Sequence, residues 1–185
     1  MKETKKVKAL IKKLGEIYKK GYLPSREREK YGELHTKLVN CFGHSCFNLS
    51  NKELQELDPY AHELSDFFRK FETSGICNIF KEIKKRIAQV GLKIQDSSLS
   101  EKLDKNQWRI ACFVQDDIFK GNDMHFMIQC GDGKWTSKIG KDSEIEVYDK
   151  LPKVYGSKYD RYELYGVYKI TNPYIKLDNE KDMEM

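Results

Sequence analysis

Two short segments carry the residue types with the widest chemistry: Asn40-Cys41-Phe42-Gly43-His44-Ser45-Cys46 and Asp123-Met124-His125-Phe126-Met127-Ile128-Gln129. The first offers a cysteine where a helix can begin; the second offers a histidine inside an apolar, strand-like run. A thiol is a competent nucleophile only as thiolate, and a helix N-terminus and a neighbouring imidazole are the two usual means of lowering its pKa. The pair therefore points to Cys-His hydrolase chemistry, with Cys41 as nucleophile, His125 as general base and Asn40 as a side-chain N–H donor to an oxyanion. Opposed to this are two ordinary fates. Most free cysteines are small buried hydrophobes, and a lone histidine in a strand is usually a satisfied, partly buried residue.

Cys46 competes with Cys41 for the role, but a spacing of five does not stack the two on one helical face. Cys41 follows asparagine at a helix break, whereas Cys46 abuts Phe47 and reads as core. Cys41-x-x-His44-x-Cys46 also has zinc-donor types, with Cys77 or His35 as a fourth ligand, yet the second ligand pair of a structural zinc site is missing. No metal or cofactor is called for. Alternation puts His125 on one strand face with Met127 and Gln129. The following strand supplies Thr136 and Ser137 as polar residues able to orient the ring, while Asp132 falls in the turn.

The elements that must position these residues come in two blocks. Val7, Leu10, Ile11, Leu14, Ile17 and Tyr18 recur at helical spacing, which predicts an amphipathic helix over 4–20, ended by Gly21. Ser25 can cap a second helix through Arg26–Glu29. Ser50 and Glu53 have capping-box spacing for a short helix through Leu57, and Pro59 opens another with Ala61, Leu64, Phe67, Phe68 and Phe71 on one face. A further helix carries Ile76, Ile79, Phe80, Ile83, Ile87 and Val90 and stops at Gly91. Strand composition then takes over in Trp108–Val114 and Met124–Cys130, with Gly131-Asp132-Gly133 turning the chain into Lys134–Ile139 as a hairpin. Glu144–Tyr148 and Tyr162–Ile170 complete the set. Helices followed by an antiparallel sheet make an α+β layout.

A chain of 185 residues with 39% hydrophobic content fits one domain, taken as 1–175, with a frayed tail at 176–185. The formal net charge of +5 is concentrated in the first twenty residues, where eight lysines face two glutamates. That asymmetry suits a polyanion, but a solvated face on an amphipathic helix explains it as well, so nucleic acid is not the expected partner. The five cysteines are an odd number, and no apolar run resembles an export signal or membrane span. The chain reads as cytoplasmic with free thiols. Tyr155, Tyr159, Tyr162, Tyr165, Tyr168 and Tyr174 interleave with Lys and Arg, an arrangement that can stack bases or sugars and that strand packing with phenol ends at solvent explains equally. Nothing in the sequence specifies an oligomeric state.

The hairpin Asp123–Gly140 resembles the HFY-R-Q, G-x-W-S-H-K-x-G hairpin of uncharacterised bacterial and phage relatives of the papain-like and NlpC/P60 cysteine hydrolases. Asn40-Cys41-Phe42 is similar to the Asn-Cys-Tyr that starts their nucleophile helix. The resemblance implies a papain-like fold, Cys41 as nucleophile, His125 as base, and a peptide, protein or peptidoglycan amide as substrate. It departs at Ser137, which stands where those proteins have a histidine as third member, and in the helical insertion from Ser50 to Val90. The competing expectation is a catalytically silent accessory protein of phage or mobile-element origin that uses the same fold as a scaffold.

Overall fold

A computed structural model describes residues 5–21, 39–49, 51–57, 76–117, 121–140 and 143–176. The helix expected at 26–29, the Ser50 cap, the helix expected after Pro59, the zinc candidate His35 and most of the expected tail lie outside the described residues.

The helical block comes first. Helix α1 (Lys5–Lys19) buries Leu10, Leu14, Ile17 and Tyr18 and turns its lysines outward, and Gly21 takes the positive φ of 78° that ends it. A helical segment opens at Cys41 and becomes a π-turn over Gly43–Phe47. Short α2 (Asn51–Glu56) follows. Helix α3 (Ile76–Gln89) buries Ile79, Phe80, Ile83 and Ile87, and the Leu92 N–H reaches the Ile87 carbonyl across Gly91 at φ 88°. Glycine suits that closing position because a side chain there meets both backbone strain and the Tyr174 ring.

The second block is one antiparallel sheet: β1 (Lys93–Asp96), β2 (Gln107–Asp117), β3 (Gly121–Gln129), β4 (Trp135–Lys138), β5 (Ile145–Tyr148), β6 (Val154–Gly156) and β7 (Arg161–Thr171). Their order is β1-β7-β2-β3-β4-β5, with β6 also on β7. Strands β1 and β6 were not expected. They are four and three residues long, and pairing with β7 rather than an apolar pattern makes them strands.

The two faces of the sheet do different work. Trp108, Ile110, Cys112, Phe126, Ile128, Tyr168 and Ile170 join the helices in the main core. The alternate residues Ala111, Phe113, Met127 and Trp135 gather with Tyr155 on the other face. There the sheet rolls up, because Tyr155 of β6 reaches Glu146 of β5, at the far end of the strand order. The sequence-expected helix-then-sheet architecture is therefore present as an α+β fold.

Candidate functional site

The segment carrying Cys41 is held from several sides. Asn40 accepts the Gly43 N–H on Oδ1 at 3.1 Å, and the His44 N–H bonds the Asn40 carbonyl at 2.9 Å, which starts the helix at Cys41. Gly43 sits where a Cβ would lie 3.0 Å from that of Val39. Trp108 donates to the Ser45 carbonyl at 3.2 Å and Tyr18 to the Phe47 carbonyl at 2.6 Å, so carbonyls of the π-turn are satisfied from α1 and β2. His44 Nε2 meets Thr136 Oγ1 at 3.0 Å rather than Cys41 or Cys46. Phe42 lies edge-on to Phe47 and to Phe126, at 5.6 and 5.3 Å between ring centres, and clamps the segment to β3. Among the described residues no three His, Cys, Asp or Glu side chains converge as a metal site.

Strand periodicity then explains what Cys41 meets. The Cys130 N–H bonds the Lys134 carbonyl across the β3–β4 turn, so with a period of two the N–H groups of Ile128 and Phe126 face the same edge. Strand β4 covers that edge only from Gln129 back to Met127. The Phe126 N–H thus emerges just beyond the covered part, and of the backbone groups it is the one that most favours the Cys41 thiolate. No hydrogen bond joins that sulfur to the His125 ring. What relates them is the backbone of the next residue.

His125 extends to the rolled face of the sheet and is 5% exposed. Its Nε2 lies 2.6 Å from Ser137 Oγ, because Ser137 pairs with Met127 and therefore shares a face with His125, two residues along. The ring stacks on Tyr155 at 4.2 Å with planes 6° apart, and Tyr162 closes from the side at 6.1 Å. Tyr162 donates to Asp123 Oδ2 at 2.7 Å. Tyr148 and Tyr155 both donate to Glu146 Oε2, at 2.8 and 3.2 Å. No described residue hydrogen-bonds His125 Nδ1.

Of the residues expected from sequence, His125 and Ser137 are thus in contact, Cys41 is beside β3, and Asn40 commits its carboxamide oxygen to the helix start. Cys46 is fully buried in the main core. Glu146 was missed, and Tyr155 was expected only as one of a tyrosine cluster and not as a partner of His125. Their place depends on the β4–β5 register, which pairs Ser137 with Glu146, and on the roll of the sheet, neither of which local pattern reveals.

The electrostatics correct one expectation. A helix start beside a histidine was expected to lower the Cys41 pKa, but burial pushes the thiol up to about 11. The Phe126 N–H favours the thiolate, the Asp123 carboxylate opposes it, and the N–H groups of Phe42 and Cys41 add smaller help. The helical segment is too short for its dipole to reverse the loss of solvation. Burial likewise holds His125 down to about 3. The resting pair is a neutral thiol and a neutral imidazole. Cys41 retains partial exposure, whereas Cys46, Cys112 and Cys130 are buried and Cys77 is exposed.

A helical layer on a rolled antiparallel sheet, with a thiol at a strand edge and a hydrogen-bonded histidine cluster, defines the class as an α+β protein with a polar site on the sheet. The chain belongs to the family described as Domain of unknown function (DUF7689), whose model matches residues 30–166. That span holds Cys41, His125, Ser137, Glu146, Tyr155 and Tyr162, while α1 precedes it. No curated protein matches the chain.

Proposed function

We propose that the protein is a cysteine hydrolase of papain-like fold that cleaves an amide, in a peptide, isopeptide or cell-wall cross-link, through a thioester acyl-enzyme. The observation that carries this reading is the seating of the Cys41 segment on β3 through the Phe42–Phe126 ring contact, one residue from a histidine whose Nε2 is held by Ser137. The thiol also lies close enough to bear on the charge of both Tyr155 and Tyr162, the two rings that pack on His125.

In this reading Cys41 attacks the amide carbonyl as His125 Nδ1 takes the thiol proton. The Asn40 side-chain amide and the Cys41 N–H receive the oxyanion, and Nδ1 returns the proton to the leaving amine. A water then gives a proton to Nδ1 and attacks the thioester, releasing the acid and restoring the thiol. Burial raises the Cys41 thiol and lowers the His125 imidazole, so both shifts disfavour a resting thiolate–imidazolium pair. Proton transfer thus belongs to the attack, as in a hydroxyl–histidine pair, and not to the resting state.

The same neutrality favours a second reading, an accessory protein that keeps the scaffold without turnover. A panel of peptide, isopeptide and peptidoglycan-fragment amides, followed by mass spectrometry, separates them. The hydrolase reading expects at least one new acid and amine pair, lost in Cys41→Ala and in His125→Ala. Cleavage that survives both substitutions, or a panel untouched by the unsubstituted protein at high enzyme concentration, favours the silent scaffold.

A further inference from the structure

We infer that the cavity where the β3–β4 turn meets the chain entering β2 binds a monocarboxylate, a small organic acid or the C-terminal carboxylate of a peptide, on the Arg109 guanidinium. The inference does not rest on the hydrolase reading. Its β3 member, Gln129, stands four residues from His125, about 13 Å along the strand.

Alternation brings the residues together. Trp108 and Ile110 enter the main core, so Arg109 between them turns to the other face of β2, the face of Ala111 and Phe113. Strand β3 runs antiparallel, and one place beyond the Ile110↔Ile128 pair sets Gln129 opposite Arg109. The Gln129 carboxamide is held there at both ends: Oε1 accepts from Arg109 Nη1, and Nε2 donates to the Gly133 carbonyl at 3.2 Å. Arg109 Nη2 donates to the Glu101 carbonyl, on the segment before β2. These bonds frame a cavity of about 300 Å³. Glu101, Leu103, Gln107 and Trp108 line it from the chain around the start of β2, and Gly131 and Gly133 from the turn.

Charge and donor counting say what belongs in it. Arg109 is 6% exposed, yet among the described residues no carboxylate pairs with it. Glu101 meets it through the main chain and commits its carboxylate to Lys169 and, at 2.7 Å, to Ser97. Lys169, opposite Arg109 in the β2–β7 register, is neutralised by that pairing. One positive charge is left over, and a buried charge without a partner is costly. A guanidinium also has five N–H donors in a planar fork. Two carbonyl oxygens are all that they meet among the described residues, and the buried Nε meets none.

A carboxylate matches what remains. Its two coplanar oxygens accept two parallel N–H bonds at once, and its single charge balances the surplus. A phosphate dianion would leave a negative charge over, beside the Glu101 carboxylate. Leu103 and Trp108 give the body of the acid an apolar wall. Gln107, whose Oε1 takes the Asp104 N–H at 3.1 Å, keeps its amide nitrogen as a further donor.

The test is a proton–nitrogen correlation NMR titration of the full chain with butyrate, with an acetylated dipeptide acid, with the neutral amide of each, and with inorganic phosphate. Both acids are expected to give saturable shifts of the Gly131 and Gly133 amides and of the Arg109 Nε–H; neither amide should. The tighter of the two acids tells a free acid from a chain terminus as the source. Gln129→Glu keeps the side-chain shape and sets a carboxylate against the guanidinium, so it should weaken acid binding about tenfold or more while raising the melting temperature. Glu101→Gln removes a negative charge from the wall and should tighten binding.

No saturable shift with either acid overturns the inference. So do shifts as large with the amides as with the acids, a preference for phosphate, or an acid affinity that neither Gln129→Glu nor Glu101→Gln changes.

Discussion

The reactivity of Cys41 is the sharpest consequence of its burial. Cys77 is the exposed thiol and must be removed first, as Cys77→Ser, so that exchange with a chromogenic disulfide reports Cys41. The Cys41 pKa stands about two units above its ordinary 9.0, so the thiolate fraction at neutral pH is about a hundredfold lower than for a free thiol. A more basic thiolate is also a better nucleophile. With a Brønsted slope near 0.45, two units return about eightfold, leaving a net slowing of about tenfold. The logarithm of the rate should climb by about one for each pH unit from neutrality toward 10 without levelling off. Asp123→Asn removes a charge that raises the thiol and should speed exchange throughout. A plateau reached near neutral pH would refute the reasoning, because it would mean a thiolate already held by a charged imidazole.

Three further outcomes follow from burial and charge. Cys46→Ser places a hydroxyl in the main core at a cost of about 1–3 kcal/mol and should lower the melting temperature by several degrees; Cys41→Ser, partly exposed, should lower it less, and the opposite order would contradict the assigned burial. His125 is held near 3 against an ordinary 6.5, so the native state refuses a proton that the unfolded chain accepts. Its contribution is full above about 6.5 and is lost as pH falls toward about 3, up to about 5 kcal/mol, so denaturant titrations should show a shallower acid loss for His125→Gln, and equal slopes would refute it. Helix α1 docks its apolar stripe and leaves its lysines solvated, so duplex DNA should bind weakly and be released by moderate salt; tight binding at high salt would contradict that reading.

How far the sequence discloses this molecule depends on where each feature's energy comes from. Strand β5 shows only by composition, with none of its residues buried, but helices α1 and α3 and strands β2, β3, β4 and β7 declare themselves, because their own apolar spacing buries them. Strands β1 and β6 do not. Ile94 is only half-buried in β1 and Tyr155 is the single buried residue of β6, so each exists as a strand through backbone bonds to β7. Asn40 signals the helix start, but the π-turn after it depends on bonds from Trp108 and Tyr18, residues remote in sequence. Ser137 is legible as a partner of His125 because a two-strand hairpin fixes their register. Glu146 and Tyr155 are not, since they join the cluster only when the sheet rolls. The sign of the Cys41 shift was misjudged for a related reason: desolvation is set by the whole fold, while helix position and a nearby histidine are all that the local sequence displays.

The central claim, that Cys41 performs acyl chemistry with His125 as its base, is tested most directly by covalent capture. Protein in the Cys77→Ser background is treated with a peptidyl chloromethyl ketone, which reacts where a bound carbonyl is held against an activated thiol. Intact mass and peptide mapping then locate the adduct. The account predicts a single adduct on Cys41 that is lost in His125→Ala although that variant keeps its melting transition. An unmodified Cys41, or an adduct that forms at the same rate without His125, would contradict it.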